Sequence, residues 1–214
     1  MKSPASFKSW NGGVFKKMKT QVGVEKKINV RKMAIIGMLS AISIILSMTP
    51  LGFIPIGPIN ATIMHIPVII GSIIEGPMVG GILGLIFGLT SFMRAITTPS
   101  PTNFMFMNPI VSVLPRVLMG IATYYIYKSV FKLTKNLSVS GLCSGFLGSI
   151  INTFGVLGLV YLLYAQRYVE AIGGDTSTAG AVILGIAATN GIPEAIVGAL
   201  VVSGVVIILK KSKK

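Results

Sequence analysis

The chain has 214 residues, 52% of them hydrophobic and only 11% charged. Roughly a quarter charged is ordinary for a soluble domain, so this composition excludes a water-soluble globule, a disordered chain and a disulfide scaffold, and describes a polytopic membrane protein. The formal charge of +14 does not point to nucleic acid, because the cations gather in alternate connections between apolar runs, as in the positive-inside pattern of membrane proteins.

Residues 1–30 form a basic cytoplasmic or interfacial segment. Phe7, Trp10, Val14, Met18 and Val22 recur at roughly helical spacing among lysines, which fits either a helix lying on the inner leaflet or a basic tail. No apolar core of a signal peptide precedes the first span. The apolar runs lie at 32–49, 62–75, 77–95, 108–129, 138–165 and 178–209. A span needs roughly 20 apolar residues, so the second run is short and the last is far longer than one crossing requires. Residues 31–210 therefore read as one six-helix transmembrane domain, all-α, followed by a basic cytoplasmic tail at 211–214.

Nine of the 19 Lys and Arg lie at or before Lys32, where the first run begins. Lys128, Lys132 and Lys135 share one loop, and Lys210, Lys211, Lys213 and Lys214 close the chain. Placing both termini in the cytoplasm puts all of these inside, and leaves 50–61, 96–107 and 166–177 outside.

Small residues mark two helices. Gly76, Gly80, Gly84 and Gly88 recur every four residues, one stripe on the third span, of the kind that lets membrane helices approach closely. Ala34, Gly37 and Ala41 give the first span a smooth face, which either packs internally or docks another membrane protein.

Ionisable and amide side chains inside spans are costly and therefore functional candidates. At ~1.5 Å per residue, Asn60, His65, Arg94, Arg116, Asn152 and Glu194 fall about 15–27 Å above the cytoplasmic ends of their spans. Asn190 lies on the last span and Asn103 in the second outer connection. This distribution fits a cavity open to the outside and closed toward the inside. Arg116 either pairs with Glu194 or faces a ligand. Arg94 is a ligand contact or reaches the outer interface. His65 is a ligand contact or a helix-packing histidine, and Asn60 contacts ligand or caps the second span. Asn152 and Asn190 read hydroxyls and amides of a ligand or bond neighbouring helices. Pro115 and Pro193 each precede a charged residue and each leave a carbonyl one turn back without its amide. No phosphate loop, no His-Glu-x-x-His element and no acidic pair occurs in a span. The chain is therefore not expected to be an enzyme, and no cofactor or metal is expected.

The stretch Ile54–Gly71, with Pro55–Ile56–Gly57–Pro58–Ile59–Asn60–Ala61–Thr62–Ile63–Met64–His65, resembles the first outer loop and second helix of the substrate-binding S-components of energy-coupling factor (ECF) vitamin transporters. Glu75–Gly76–Pro77 resembles that family's turn into its third helix. Val113–Gly120 and Asn190–Glu194 are similar to its later elements, and the His65-containing run is most like the pantothenate-specific members. The resemblance implies six helices, both termini inside the cell membrane of a prokaryote, and an outward cavity for a vitamin. It also implies three partners: a membrane coupling protein and two cytosolic ATPases. Docking falls on Ala34, Gly37 and Ala41, with Gly37 where the family's usual first alanine stands. Arg94 and Arg116 suit a carboxylate, and the scarcity of aromatic residues in the outer halves argues mildly against a flat ring system, although Phe104 and Phe106 could stack on one. Pantothenate, small, flexible and anionic, is the expected ligand, with another water-soluble vitamin next. A stand-alone secondary transporter or a membrane-embedded enzyme is the alternative from a different class.

Overall fold

Inside a bilayer no water is at hand for the backbone, so apolar runs satisfy their own N–H and C=O groups as helices. The computed structural model describes residues 30–56, 59–98, 103–171, 173 and 178–211. It contains helices α1 (Val30–Met48), α2 (Ile66–Glu75), α3 (Pro77–Thr97), α4 (Pro109–Thr134), α5 (Leu137–Ala171) and α6 (Ala179–Lys211). Five of these are long and apolar enough to cross a membrane; α2, with ten residues, is not. The basic segment before α1 and the tail at 212–214 lie outside the described residues.

One element departs from the all-helical expectation. Phe53–Ile56 (β1) and Ile59–Thr62 (β2) pair antiparallel, with Phe53 opposite Thr62 and Ile56 opposite Ile59. The ladder continues into the chain beyond it, where the Ile63 amide donates to the Gly52 carbonyl at 3.0 Å. The hairpin takes the first part of the second apolar run, which is why α2 begins only at Ile66. That helix need not span, because it is enclosed: every residue from Ile66 to Ile73 is buried. Its end is made by Gly76, whose φ of 105° is a backbone state that side-chain-bearing residues rarely adopt. Pro77 then opens α3 with its fixed φ. Gly76 is thus a turn residue and not part of the α3 glycine stripe.

The stripe itself is a seam. A methyl group on Gly80 would run into the Gly120 carbonyl, one on Gly84 into the Arg116 carbonyl, and one on Gly88 would lie 2.7 Å from Val113 Cα. Ser72 adds a hydrogen bond from α2 to the same Gly120 carbonyl at 2.5 Å. A second seam joins α5 to α6, where a methyl on Gly145 would come within 2.7 Å of Ala199 Cα and one on Gly141 within 2.8 Å of Ser203 Cα. Such close backbone approach maximises dispersion between helices that gain nothing from leaving lipid. Around these seams the apolar core gathers Val68, Ile69, Leu83, Met119 and Val202.

The two long helices are not uniform. α5 is interrupted at Tyr164 (φ −141°, ψ 17°), and Pro193 sits inside α6. Past the interruption Tyr164 meets Phe104 edge-on at 5.7 Å and accepts a hydrogen bond from Asn108 Nδ2 at 3.1 Å. At the opposite end of the bundle, Lys210 lies over the Tyr127 ring at 4.1 Å. α1 is held differently from the rest. Its buried residues are Ser40, Ser43 and Ser47, and the hydroxyls of Ser40 and Ser43 have no partner among the described residues.

Candidate functional site

A cavity of about 400 Å³ lies where α3, α4 and α5 meet the hairpin and the short 3-10 turn Asn103–Met107. That volume is within the roughly 300–1,000 Å³ usual for a small-molecule site. α3 contributes Phe87, Ser91 and Arg94; α4 contributes Arg116 and α5 Asn152. The 3-10 turn adds Asn103 and Phe106, β2 and its continuation add Thr62 and Met64, and α1 adds Ser47.

Arg116 is set in place by the residue before it. Pro115 has no N–H, so the carbonyl of Val111 one turn back loses its helical partner. Arg116 Nη1 donates to that carbonyl at 2.6 Å. The guanidinium then lies between two rings, 5.6 Å from the centre of Phe87 and 5.3 Å from that of Phe106. Cation–π attraction favours this arrangement, and Ser112 Oγ fixes the Phe106 carbonyl by a short hydrogen bond. Arg116 is only 6% exposed, and its Nε–H has no partner among the described residues. Asn152 is its complement: 8% exposed, with an Oδ1 that accepts nothing from the described residues. One wall of the cavity therefore offers a buried cation with an unused donor, and another a buried amide with an unused acceptor. Such a wall can receive a ligand that carries an anionic oxygen and a hydroxyl or amide N–H.

The expected site residues separate into groups. Arg94, Asn103, Arg116 and Asn152 come together on the cavity wall; Asn103 Nδ2 also donates to the Thr98 carbonyl at 2.6 Å, tying the turn to the end of α3. Asn60 lies in β2 opposite Pro55, and its side chain is outside the described part. His65 stands before α2, 1% exposed, with Nε2 2.7 Å from Ser149 Oγ. The Ser149 hydroxyl already donates to the Gly145 carbonyl at 2.8 Å, so Nε2–H is the donor to Ser149. Asn190 is partly buried on α6, away from the wall. Glu194 does not meet Arg116: its partners are Thr62 and Thr153. Ser47, Thr62, Met64, Phe87 and Ser91 were not anticipated, since serine, threonine and phenylalanine inside an apolar run give no signal of their own.

A larger space, about 780 Å³, separates α1 from α3. Met48, Leu89 and Met93 in its walls are strongly exposed, and Thr49, Thr90 and Thr97 spend their hydroxyls on their own helices. It is an apolar surface groove and lacks the unpaired buried groups of the smaller cavity. Ala34, Gly37 and Ala41 are exposed on α1, and a methyl group on Gly37 would meet nothing within 4 Å.

Comparison with known proteins bears on the cavity's ligand. The family described as ECF transporter, substrate-specific component, matches residues 31–206. The pantothenic acid transporter PanT of Lactococcus lactis subsp. cremoris (strain MG1363) is 31% identical over 204 residues, covering 88% of this chain and 98% of that protein. The pantothenate transporter PanT of Leuconostoc mesenteroides subsp. mesenteroides is 30% identical over 163 residues, covering 72% of this chain and 79% of that protein.

Proposed function

The chain belongs to the family of substrate-specific components of ECF transporters, and from that premise we propose that it is the membrane-embedded subunit that binds pantothenate for an ECF importer. It is a multi-pass membrane protein and a transporter component, not an enzyme. The observation that carries the substrate is the pairing of a cation and an amide on the cavity wall, Arg116 and Asn152. Pantothenate offers a carboxylate for the first and hydroxyls and an amide N–H for the second. Its carboxylate binds beside Arg116, with Arg94 as the second cation of the wall. Because Phe87 and Phe106 already hold the guanidinium, they are not free to sandwich a flat ring.

With both termini in the cytoplasm, the hairpin and the 3-10 turn face outward and the cavity opens to the medium. The glycine seams close the inner half, so the isolated chain binds its vitamin and does not pass it on. Release requires the ECF module, a membrane coupling protein with two cytosolic ATPases. The coupling protein docks on α1 through Ala34, Gly37 and Ala41, where helix backbones can approach closely.

Calorimetric titration of the purified chain with a vitamin panel tests the substrate. Pantothenate binds with heat and raises thermal stability by mass action, while riboflavin and folate do neither. Binding of another vitamin in place of pantothenate would overturn the assignment.

A further inference from the structure

Behind the cavity wall sits a buried carboxylate that the binding scheme above leaves unused. Glu194 follows Pro193 on α6 and is 7% exposed. Its Oε1 accepts from the Thr62 backbone amide at 2.9 Å and from the Thr62 hydroxyl at 2.8 Å. Its Oε2 accepts from the Thr153 hydroxyl at 3.4 Å. Among the described residues, these two threonines are its hydrogen-bond partners. A carboxylate inside a membrane-spanning bundle is costly, and here its two shorter hydrogen bonds come from one residue, 132 positions away in the chain.

That residue has a particular place. Thr62 pairs with Phe53 at the base of the hairpin and is itself part of the cavity wall, whereas Glu194 is not. Thr153, the other partner, is the chain neighbour of Asn152. One side chain on α6 thus holds the base of the hairpin and the stretch of α5 that carries the unused amide oxygen. We propose that Glu194 is a positioning residue for the vitamin site: it fastens the hairpin base, and with it Thr62 and Met64, to α6 without touching the vitamin. This rests on the reading of the cavity as the vitamin site, but the fastening itself is testable without any ligand.

The test uses the full chain in lipid nanodiscs, three variants (Glu194→Gln, Thr62→Val and both together) and Thr62→Ser as a control. Amide hydrogen exchange of residues 59–63 is measured with no vitamin present, and pantothenate association and dissociation rates are measured separately. Loss of one hydrogen bond to a charged group is expected to speed exchange of the hairpin amides, and pantothenate dissociation, by about tenfold. Association is expected to stay unchanged, and the double variant to fall short of the product of the two single effects, because Thr62→Val removes the hydroxyl donor and Glu194→Gln the charge on its acceptor, two halves of one contact. Thr62→Ser keeps the hydroxyl and should show native exchange at residues 59–63 without vitamin. Multiplying effects in the double variant, or native exchange in all three variants, would overturn the proposal. So would a Glu194→Gln variant that binds pantothenate poorly while its hairpin exchanges normally, since the carboxylate would then be a direct contact. If the native chain fails to bind pantothenate at all, the substrate assignment falls, and the exchange measurement still decides the role of Glu194.

Discussion

α1 and α3 carry the same kind of sequence, small residues at helical spacing in an apolar run, and use it in opposite ways. On α3, Gly80 and Gly84 lie so close to the α4 backbone that no side chain fits. On α1, a methyl group on Gly37 would meet none of the described residues within 4 Å, and the side turned to the bundle carries the serine row Ser40, Ser43 and Ser47 together with Ile36, Leu39 and Leu46. A small-residue stripe therefore states only that a backbone can be approached. Whether the approach has happened within the chain, or is left for a partner, depends on what the fold sets opposite. In α3 the approach is complete and makes a seal; in α1 it is unfilled, on a helix that meets the bundle with another side.

Substitutions break this contrast at graded cost. Gly84→Leu forces bulk into the Arg116 carbonyl and has no flexible neighbour to push aside. It should destabilise the protein by ~3 kcal/mol or more, lowering the melting temperature by on the order of 10 °C in a thermal-unfolding assay in detergent. Asn152→Ala lies beyond the seal, in the cavity wall. It should leave the melting temperature close to native and weaken pantothenate binding by about 1 kcal/mol, the scale of one neutral hydrogen bond, read by calorimetry. The smallest effect on the chain itself is expected from Gly37→Leu combined with Ala41→Leu. Stability should change by no more than ~0.5 kcal/mol, as at an ordinary surface, and vitamin binding should be native. Yet co-purification with the coupling protein should be lost. Normal co-purification would place docking on another face.

How far these features were legible depends on their contrast with the surroundings. Helices were visible because long apolar runs in a membrane have few alternatives, and the brevity of the second run already set α2 apart. The hairpin was not visible. Ile54–Pro55–Ile56–Gly57–Pro58–Ile59 is rich in turn formers and reads as a loop, and pairing across it is a tertiary outcome. Arg94, Asn103, Arg116 and Asn152 stood out as polar groups in or beside apolar runs, and the structure brings them together. Phe87, Ser91 and Thr62 line the same cavity but look like any membrane-helix residue. Spacing could not say which partner Glu194 takes. Its distance along the spans from Arg116 was indistinguishable, and only the fold shows Arg116 turned to Val111 and the two rings, with Glu194 turned to Thr62. Gly76 shares the four-residue spacing of the α3 stripe, yet its positive φ makes it the turn into that helix.

The central claim, that the cavity reads a carboxylate through Arg116, is tested most directly by titrating two ligands into two proteins: pantothenate and its carboxamide analogue into the native chain and into the Arg116→Gln variant. The account predicts that the substitution costs the acid roughly 1.5–3 kcal/mol of affinity, the worth of a hydrogen bond to a charged group, and that the amide, bound poorly by the native chain, loses little more. The variant should stay folded without ligand, since among the described residues Arg116 is engaged by a carbonyl and two rings and by no carboxylate. Equal weakening of acid and amide would contradict the claim and remove Arg116 as the contact to the vitamin's acid group.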